Sequence, residues 1–368
     1  MLATTLVLPT TASPALAAPP ASTSAAVCPD RPPPPSDPPV LAHFYIWFTQ
    51  ASWDRAKQDY PAVGRYSSDD LDVMKGQVAQ ARSAGIDGFM VSWKSTPDLD
   101  ARLRQLRDVA KAGGLKLAIT YQAQDFYRRP LPVAQVRHDL QVLADTYAAD
   151  PTFHLFGSRP VVAISGTWNY TVAELRSIIE PVASKLTVLA TEKSVKDYQR
   201  VSSTVDGDLY YWSSVDPLKT PGHQSKLVDM ANAVRENCGL WIAPVAPGFD
   251  ARDIGGTTIV ERRNGETLRT SWAAALASTP DALGVISWNE FSENTYVEPS
   301  EKYGSKYLDE VAALTNAPPP PPKELDSTAA DGEGTGSLLT PLLTVAAAGL
   351  AVFLGVTVWG TRRRRRTP

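Results

Sequence analysis

The chain of 368 residues has only two cysteines and four histidines, and this scarcity excludes most metal chemistry at the outset. Cys28 and Cys238 lie too far apart in sequence to form a zinc or iron–sulfur spacing. His43, His138, His154 and His223 are scattered, with no His-x-x-x-His pair, so neither a metal nor another cofactor is expected. Excess charge is missing too. A net charge of -3 makes no electrostatic case for a nucleic-acid partner. No Gly-x-Gly-x-x-Gly follows a strand-like run and no Walker loop occurs, which argues against the doubly wound nucleotide-binding sheet. No Gly-x-Ser-x-Gly elbow is present, which removes the usual serine-hydrolase signature.

Proline is abundant, with 31 residues concentrated in two tracts that bracket the middle of the chain. Residues 1–18 read as the end of a secretory signal: an apolar run, then small residues around Ala17, although a basic leading segment is missing. Residues 19–39 form a Pro/Ala/Ser-rich linker. Residues 317–337 form a second linker, opening with five prolines and then turning acidic. Residues 338–359 carry no charge and are long enough to span about 30 Å of hydrocarbon as a helix. Five arginines follow in the tail, residues 360–368, and such a cluster stays cytoplasmic. The expected arrangement is an exported, monomeric domain over residues 40–316, held at the outer cell surface by a single C-terminal transmembrane helix. In an oxidising compartment Cys28 and Cys238 can form one disulfide, pinning the N-terminal arm to the body; two free thiols are the alternative.

The central 40–316 segment alternates strand-like and helix-like runs. Short apolar runs at 41–48, 86–93, 115–121, 160–165, 186–191, 208–212, 239–245 and 283–288 read as buried parallel strands. Amphipathic stretches at 67–84, 98–112, 133–147, 171–184, 193–201, 224–236, 265–277 and 303–314 read as helices. Thr171 and Glu174 are spaced as a capping box, and Gly113-Gly114 marks a helix end. Eight strands alternating with eight helices predict an α/β fold, the (β/α)8 TIM barrel.

In such a barrel the residues just past each strand's C-terminal end form the active site. The last apolar run ends in Asn289-Glu290-Phe291-Ser292-Glu293-Asn294, which places two carboxylates at the mouth. Two carboxylates there are the minimum equipment for hydrolysing a glycosidic bond. Tryptophan or tyrosine recurs at the other strand ends, at Trp47, Trp93, Tyr121, Trp168, Tyr210, Tyr211 and Trp212. Sugar rings present C–H faces that stack on aromatic planes, so this set points to a sugar cleft, with ordinary core filling as the alternative.

The residues now named resemble glycoside hydrolase family 99, the retaining endo-α-mannosidases and endo-α-mannanases, and family-99-like relatives. The likeness runs through His43-Phe44-Tyr45-Ile46-Trp47-Phe48, through residues 84–93, and through Pro247-Gly248-Phe249-Asp250 with Arg262 and Trp272. It is most specific at Asn289-Glu290-Phe291-Ser292-Glu293-Asn294-Thr295-Tyr296-Val297-Glu298-Pro299, beside a family pattern of Asn-Glu-Trp-His-Glu-Gly-Thr-x-Ile-Glu-Pro. The resemblance implies endo-acting cleavage of an α-mannose-containing oligo- or polysaccharide with retention. It implies that Glu293 is the general acid/base and that Glu290 draws the proton from the sugar's own 2-hydroxyl. Substrate contacts are then expected from Tyr45, Trp47, Trp93, Tyr121, Gln122, Tyr210, Tyr211, Trp212, Asn289 and Glu298. Two departures stand out. Phe291-Ser292 replaces Trp-His, and Gln122-Ala123-Gln124 stands where characterised members carry Glu-Pro-Tyr. A barrel cutting another α-glycan, such as an α-1,3-glucan, and a non-catalytic carbohydrate-binding barrel are the alternative readings.

Overall fold

A computed structural model describes Cys28 and residues 31–125 and 127–316. The signal, most of the first linker, the second linker, the apolar span and the arginine tail lie outside the described residues. Among the described residues no helix is long and apolar enough to cross a membrane.

Eight parallel strands form the barrel: β1 (Val40–Tyr45), β2 (Gly88–Trp93), β3 (Lys116–Gln122), β4 (Val161–Ser165), β5 (Thr187–Leu189), β6 (Gly207–Leu209), β7 (Leu240–Val245) and β10 (Ala282–Val285). They run in the order β5-β4-β3-β2-β1-β10-β7-β6. The ring closes between β6 and β5, where Ala190 bridges Asp208 in parallel and donates its amide to the Gly207 carbonyl at 2.9 Å. A two-stranded antiparallel hairpin, β8 (Phe249–Asp250) with β9 (Ile259–Val260), rises from the loop after β7. The helices are α1 (Leu71–Ser83), α2 (Pro97–Gly113), α3 (Val133–Tyr147), α4 (Val172–Ile179), α5 (Val195–Val201), α6 (His223–Glu236), α7 (Glu266–Ala277) and α8 (Lys306–Leu314).

The helix limits follow from local chemistry. Asp70 caps α1 by accepting from the Asp72 and Val73 amides, and Pro97 opens α2 where its missing N–H costs nothing. Gly114 ends α2 in the left-handed conformation, and Thr171 with Glu174 forms the capping box of α4. Every residue of β1 and β2 is buried, because one strand face fills the barrel and the other meets the helices. Leu41, Met90, Ala118, Val161, Ala163, Leu189, Leu209, Ile242 and Ala282 fill the interior. A much larger cluster, including Phe44, Phe89, Trp93, Tyr121, Leu140, Trp241 and Leu308, joins the strands to the helices. Gly207 is required by contact: a Cβ there would lie 2.1 Å from the Leu240 carbonyl oxygen.

Four strands stop short of their apolar runs. β1 ends at Tyr45 rather than 48 and β5 at Leu189 rather than 191. β6 ends at Leu209 rather than 212 and β10 at Val285 rather than 288. Beyond those points the backbone still bonds to its neighbours, Tyr210 to Ile242 at 3.2 Å and Trp288 to the His43 carbonyl at 2.8 Å, but it turns toward the mouth and leaves the ladder.

Both ends of the described barrel are fastened on the face that carries the strand N-termini. Cys28 is disulfide-bonded to Cys238, just before β7, across a sequence separation of 210. Arg31 reaches the Gly239 carbonyl and the Asp281 carboxylate, just before β10. After α8, Thr315 donates its hydroxyl to the Ala84 carbonyl at 2.9 Å, close before β2. A cross-link over so long a loop restricts the unfolded chain, so breaking it costs about 2–4 kcal/mol. Cys238→Ser, or reduction of the native protein, is therefore expected to lower the urea midpoint without altering the cleft. Midpoints that coincide with and without reductant would show that the arm contributes nothing to stability.

Candidate active site

The strand C-terminal ends open into a cleft of about 610 Å3. Tyr45 and Trp47 line it from β1, Gln122, Gln124, Asp125 and Arg128 from β3 and its loop, and Ser165 and Trp168 from β4. Thr191, Tyr211, Trp212, Ser213 and Ser214 follow from the loops after β5 and β6. The β8–β9 hairpin contributes Phe249 and residues 254–256, and Glu290, Ser292 and Glu293 complete the wall. Among the described residues no group of three or more His, Cys, Asp or Glu is placed to hold a metal.

The segment carrying the glutamates is held at many points. Asn289 is fully buried, and its side chain pairs with the backbone of Tyr45 in both directions. It accepts from the Tyr45 amide at 2.8 Å and donates to the Tyr45 carbonyl at 3.0 Å. The Glu290 amide donates to the Ser287 hydroxyl at 2.8 Å, and the Ser292 amide donates to the Glu290 carboxylate at 3.0 Å. The Glu293 carbonyl accepts from the Asp250 amide at 2.8 Å, which ties the loop to the hairpin. Behind it Phe291 stacks on Tyr296 at 4.0 Å, and the Tyr296 hydroxyl donates to Asp59 at 2.5 Å. Arg262 is buried against the rings of Tyr296, Tyr303 and Tyr307, at 4.5, 5.0 and 4.3 Å. It donates to the carbonyls of Asn294 and Tyr296, both at 2.9 Å. A cation over three ring faces with two carbonyl acceptors fixes the loop's backbone.

Glu290 is 5% exposed and Glu293 is half-buried. Burial, and then the neighbouring Glu293 charge, push Glu290 up to about 8, while the Ser292 amide and the Lys57 ammonium pull the other way. Glu293 is raised by burial and lowered in part by Arg128. Two carboxyls in one dry cleft do not both ionise at neutral pH, so the pair keeps a proton. Tyr211 lies beside both glutamates; its hydroxyl meets that of Tyr45, and burial and the two charges hold it well above the usual phenol value. His43, beneath Tyr211 at 4.6 Å, is lowered to about 3 by burial and stays a neutral imidazole.

Of the residues expected to touch substrate, the cleft brings together Tyr45, Trp47, Gln122, Tyr211 and Trp212 with Glu290 and Glu293. Five others lie elsewhere. Trp93 donates its indole N–H to Asp100 and Tyr121 its hydroxyl to Asp139, both at 2.9 Å, within the helix layer. Tyr210 accepts from Lys226 at 2.9 Å, also outside the barrel. Strand side chains alternate between faces, so Gln122 and Tyr211 face inward while Tyr121 and Tyr210 cannot. Glu298 is 3% exposed, accepting from Gln77 at 2.6 Å and Tyr66 at 3.0 Å, and is a buried strut beneath the loop. Asn289 likewise acts through Tyr45. Gln124, Arg128, Trp168, Ser213 and the hairpin residues 254–256 were not singled out as site residues from sequence. Trp168 stood among the strand-end aromatics; the others sit on loops, where no period points to a face.

The raised glutamates have a pH consequence. A carboxyl raised to about 8, as Glu290 is, holds its proton at neutral pH and loses it as the pH climbs past that value. A reaction needing one protonated and one ionised glutamate should therefore lose kcat/KM above about pH 8. Glu293→Gln removes the like charge, so carboxyl NMR should find Glu290 titrating lower than in the native protein, though still raised by burial. An unchanged Glu290 titration would mean that the two groups do not sense each other.

Comparison with known proteins agrees with this geometry. Residues 37–330 match the family described as Glycosyl hydrolase family 99. The glycoprotein endo-alpha-1,2-mannosidase of Rattus norvegicus is 23% identical over 68% of this chain and 59% of its own length. That of Xenopus laevis is 25% identical over 68% of this chain and 61% of its own. The chain thus spans about three-fifths of the length of these curated relatives. Among solved structures, the GH99 endo-alpha-mannosidase from Bacteroides thetaiotaomicron superposes with a TM-score of 0.65 at 19% identity. The match covers 77% of this chain and 97% of that one, and it shows the same fold.

Proposed function

Since the chain belongs to glycosyl hydrolase family 99, we propose that it is a retaining glycoside hydrolase cleaving α-mannosidic linkages inside a glycan, with Glu290 and Glu293 as its catalytic pair. The observation that carries this reading is the pair itself: two glutamates with raised affinity for protons, at the strand C-terminal ends of a barrel, in an aromatic-lined cleft. The endo-alpha-1,2-mannosidase relatives supply the sugar.

In the proposed reaction Glu290 takes the proton of the substrate's 2-hydroxyl, and that oxygen attacks the anomeric carbon. The bond to the leaving oxygen breaks, and Glu293 protonates that oxygen. Water then opens the 1,2-anhydro sugar at the anomeric carbon, giving a proton to Glu293, while the 2-oxygen recovers its proton from Glu290. Two inversions give retention. In the free cleft burial raises both glutamates' affinity for a proton. A bound 2-hydroxyl would donate to Glu290 and favour its ionised form, as Lys57 already does. The leaving oxygen only accepts, and so calls for the proton on Glu293. The attack requires a 2-hydroxyl trans to the leaving group, which α-mannosides have and α-glucosides lack.

The disulfide supports export, since such bonds persist in oxidising compartments. With the uncharged stretch at 338–359 and the arginines after it, we infer a monomeric barrel displayed outside the cell on a membrane anchor. Deleting residues 337–368 should release it into the medium.

Glu290→Gln and Glu293→Gln should each cut turnover on an α-mannan by roughly 10²–10⁴-fold while leaving the unfolding midpoint nearly unchanged. A 2-deoxy or 2-O-methyl α-mannoside should bind and remain uncut. Efficient cleavage of an α-1,3-glucan that still depends on Glu290 would defeat the proposed route through the 2-hydroxyl.

A further inference from the structure

One wall of the cleft carries a cation, Arg128, that the reaction above does not use, and a second, Lys193, lies against two of the lining tryptophans. The loop after β3 is tightly folded around Asp125, whose carboxylate accepts from the Tyr127 amide at 2.8 Å and the Arg129 amide at 2.9 Å. Arg129 also pairs with that carboxylate, at 2.6 Å. This loop holds Arg128 in the left-handed region, φ 61°, a conformation uncommon for a side chain of that size. Arg128 lines the cleft and its charge reaches Glu293. Among the described residues it has no carboxylate within ion-pair distance, since Asp125 is taken by Arg129.

The same wall continues from Gln124 past Gly166, where a Cβ would lie 3.2 Å from the Gln124 amide, to Trp168. Trp168 and Trp212 meet at 5.7 Å between ring centres. The Lys193 ammonium lies over both rings, 4.7 Å from the first and 4.0 Å from the second. Lys193 is exposed and likewise has no carboxylate partner among the described residues. Two indole faces hold a cation in place without neutralising it. Gln122 and Gln124 are amides and Asp125 is paired with Arg129, so the wall from Gln122 to Trp168 has no acid left unpaired.

From this wall we propose, resting on the mannosidase reading, that the cleft is specific for an anionic glycan, one bearing a phosphate or carboxylate on a sugar flanking the cleaved bond. Arg128 would take the charged group through its planar fork, and Lys193, braced on Trp168 and Trp212, would take it as a point charge. Neutral mannan offers these cations only hydroxyls, whereas an anion forms charge-assisted bonds of roughly twice the strength.

The test compares kcat/KM of the full-length protein on three α-mannooligosaccharides of one length: neutral, phosphorylated, and ending in a uronic acid. The expected result is a preference of roughly tenfold or more for at least one anionic substrate. That preference should shrink as salt rises. The ratio of anionic to neutral kcat/KM should fall toward one in Arg128→Gln and in Lys193→Gln. Equal values on all three substrates in the native protein would overturn the inference while leaving the mannosidase reading intact. A preference that survives in both variants would also overturn it. If no substrate is cut, calorimetry on the same glycans separates the two ideas. Tighter binding of an anionic glycan, lost in the double variant, sustains the inference without the mannosidase. Equal binding overturns it.

Discussion

The site depends on a pairing that is not part of the sheet ladder. Asn289 sits beyond the last residue of β10, yet its amide group occupies both backbone hydrogen-bonding groups of Tyr45, as a neighbouring strand residue would. It also donates to the Tyr66 hydroxyl at 3.1 Å, which in turn donates to Glu298. A buried amide satisfied on both its donor and acceptor sides has one geometry available, and so does the residue that follows it. Glu290 is that residue. Its placement relative to β1 is thus inherited from a side chain, which is why the chain can leave the regular strand at Val285 and still deliver a carboxylate accurately to the mouth.

The remaining supports act on the same loop from behind. The Arg262 cage grips the carbonyls of Asn294 and Tyr296, the Phe291–Tyr296 stack fills the space beneath, and Asp59 takes the Tyr296 hydroxyl. These groups come from four separate parts of the chain. Their combined effect is to hold two carboxyl groups in a poorly solvated place, where burial raises the affinity of both for a proton and the Glu293 charge raises that of Glu290 further. That arrangement is unfavourable for stability and useful for catalysis, and it lasts because the frame around it is over-determined.

Much of this was legible in the residues. The alternation of apolar runs with amphipathic stretches identified all eight barrel strands and all eight helices, and α3 matches the residues 133–147 expected for it. The segment proposed to carry the catalytic pair was readable because an apolar run broke abruptly into amides and acids. Aromatic side chains at strand ends were harder to assign. Tyr210 and Tyr211 are chemically alike and adjacent, and only the parity of β6, fixed by Leu209 facing inward, separates a helix-layer residue from a cleft residue. Glu298 resembled Glu290 and Glu293 in type and location, but three-dimensional packing against Gln77 and Tyr66 decided its role. The Arg262 cage could not be foreseen: Tyr303 and Tyr307 fall in the helix-like stretch at 303–314, but helical spacing does not reveal which cation their rings enclose.

The places where the described barrel is fastened have an orientational meaning. The Cys28 and Arg31 anchors and the Thr315 contact all lie on the floor of the barrel, and the cleft opens through the roof. A tether leaving at either end therefore pulls on the floor. A glycan entering the cleft approaches from the side opposite both fastened ends of the described chain.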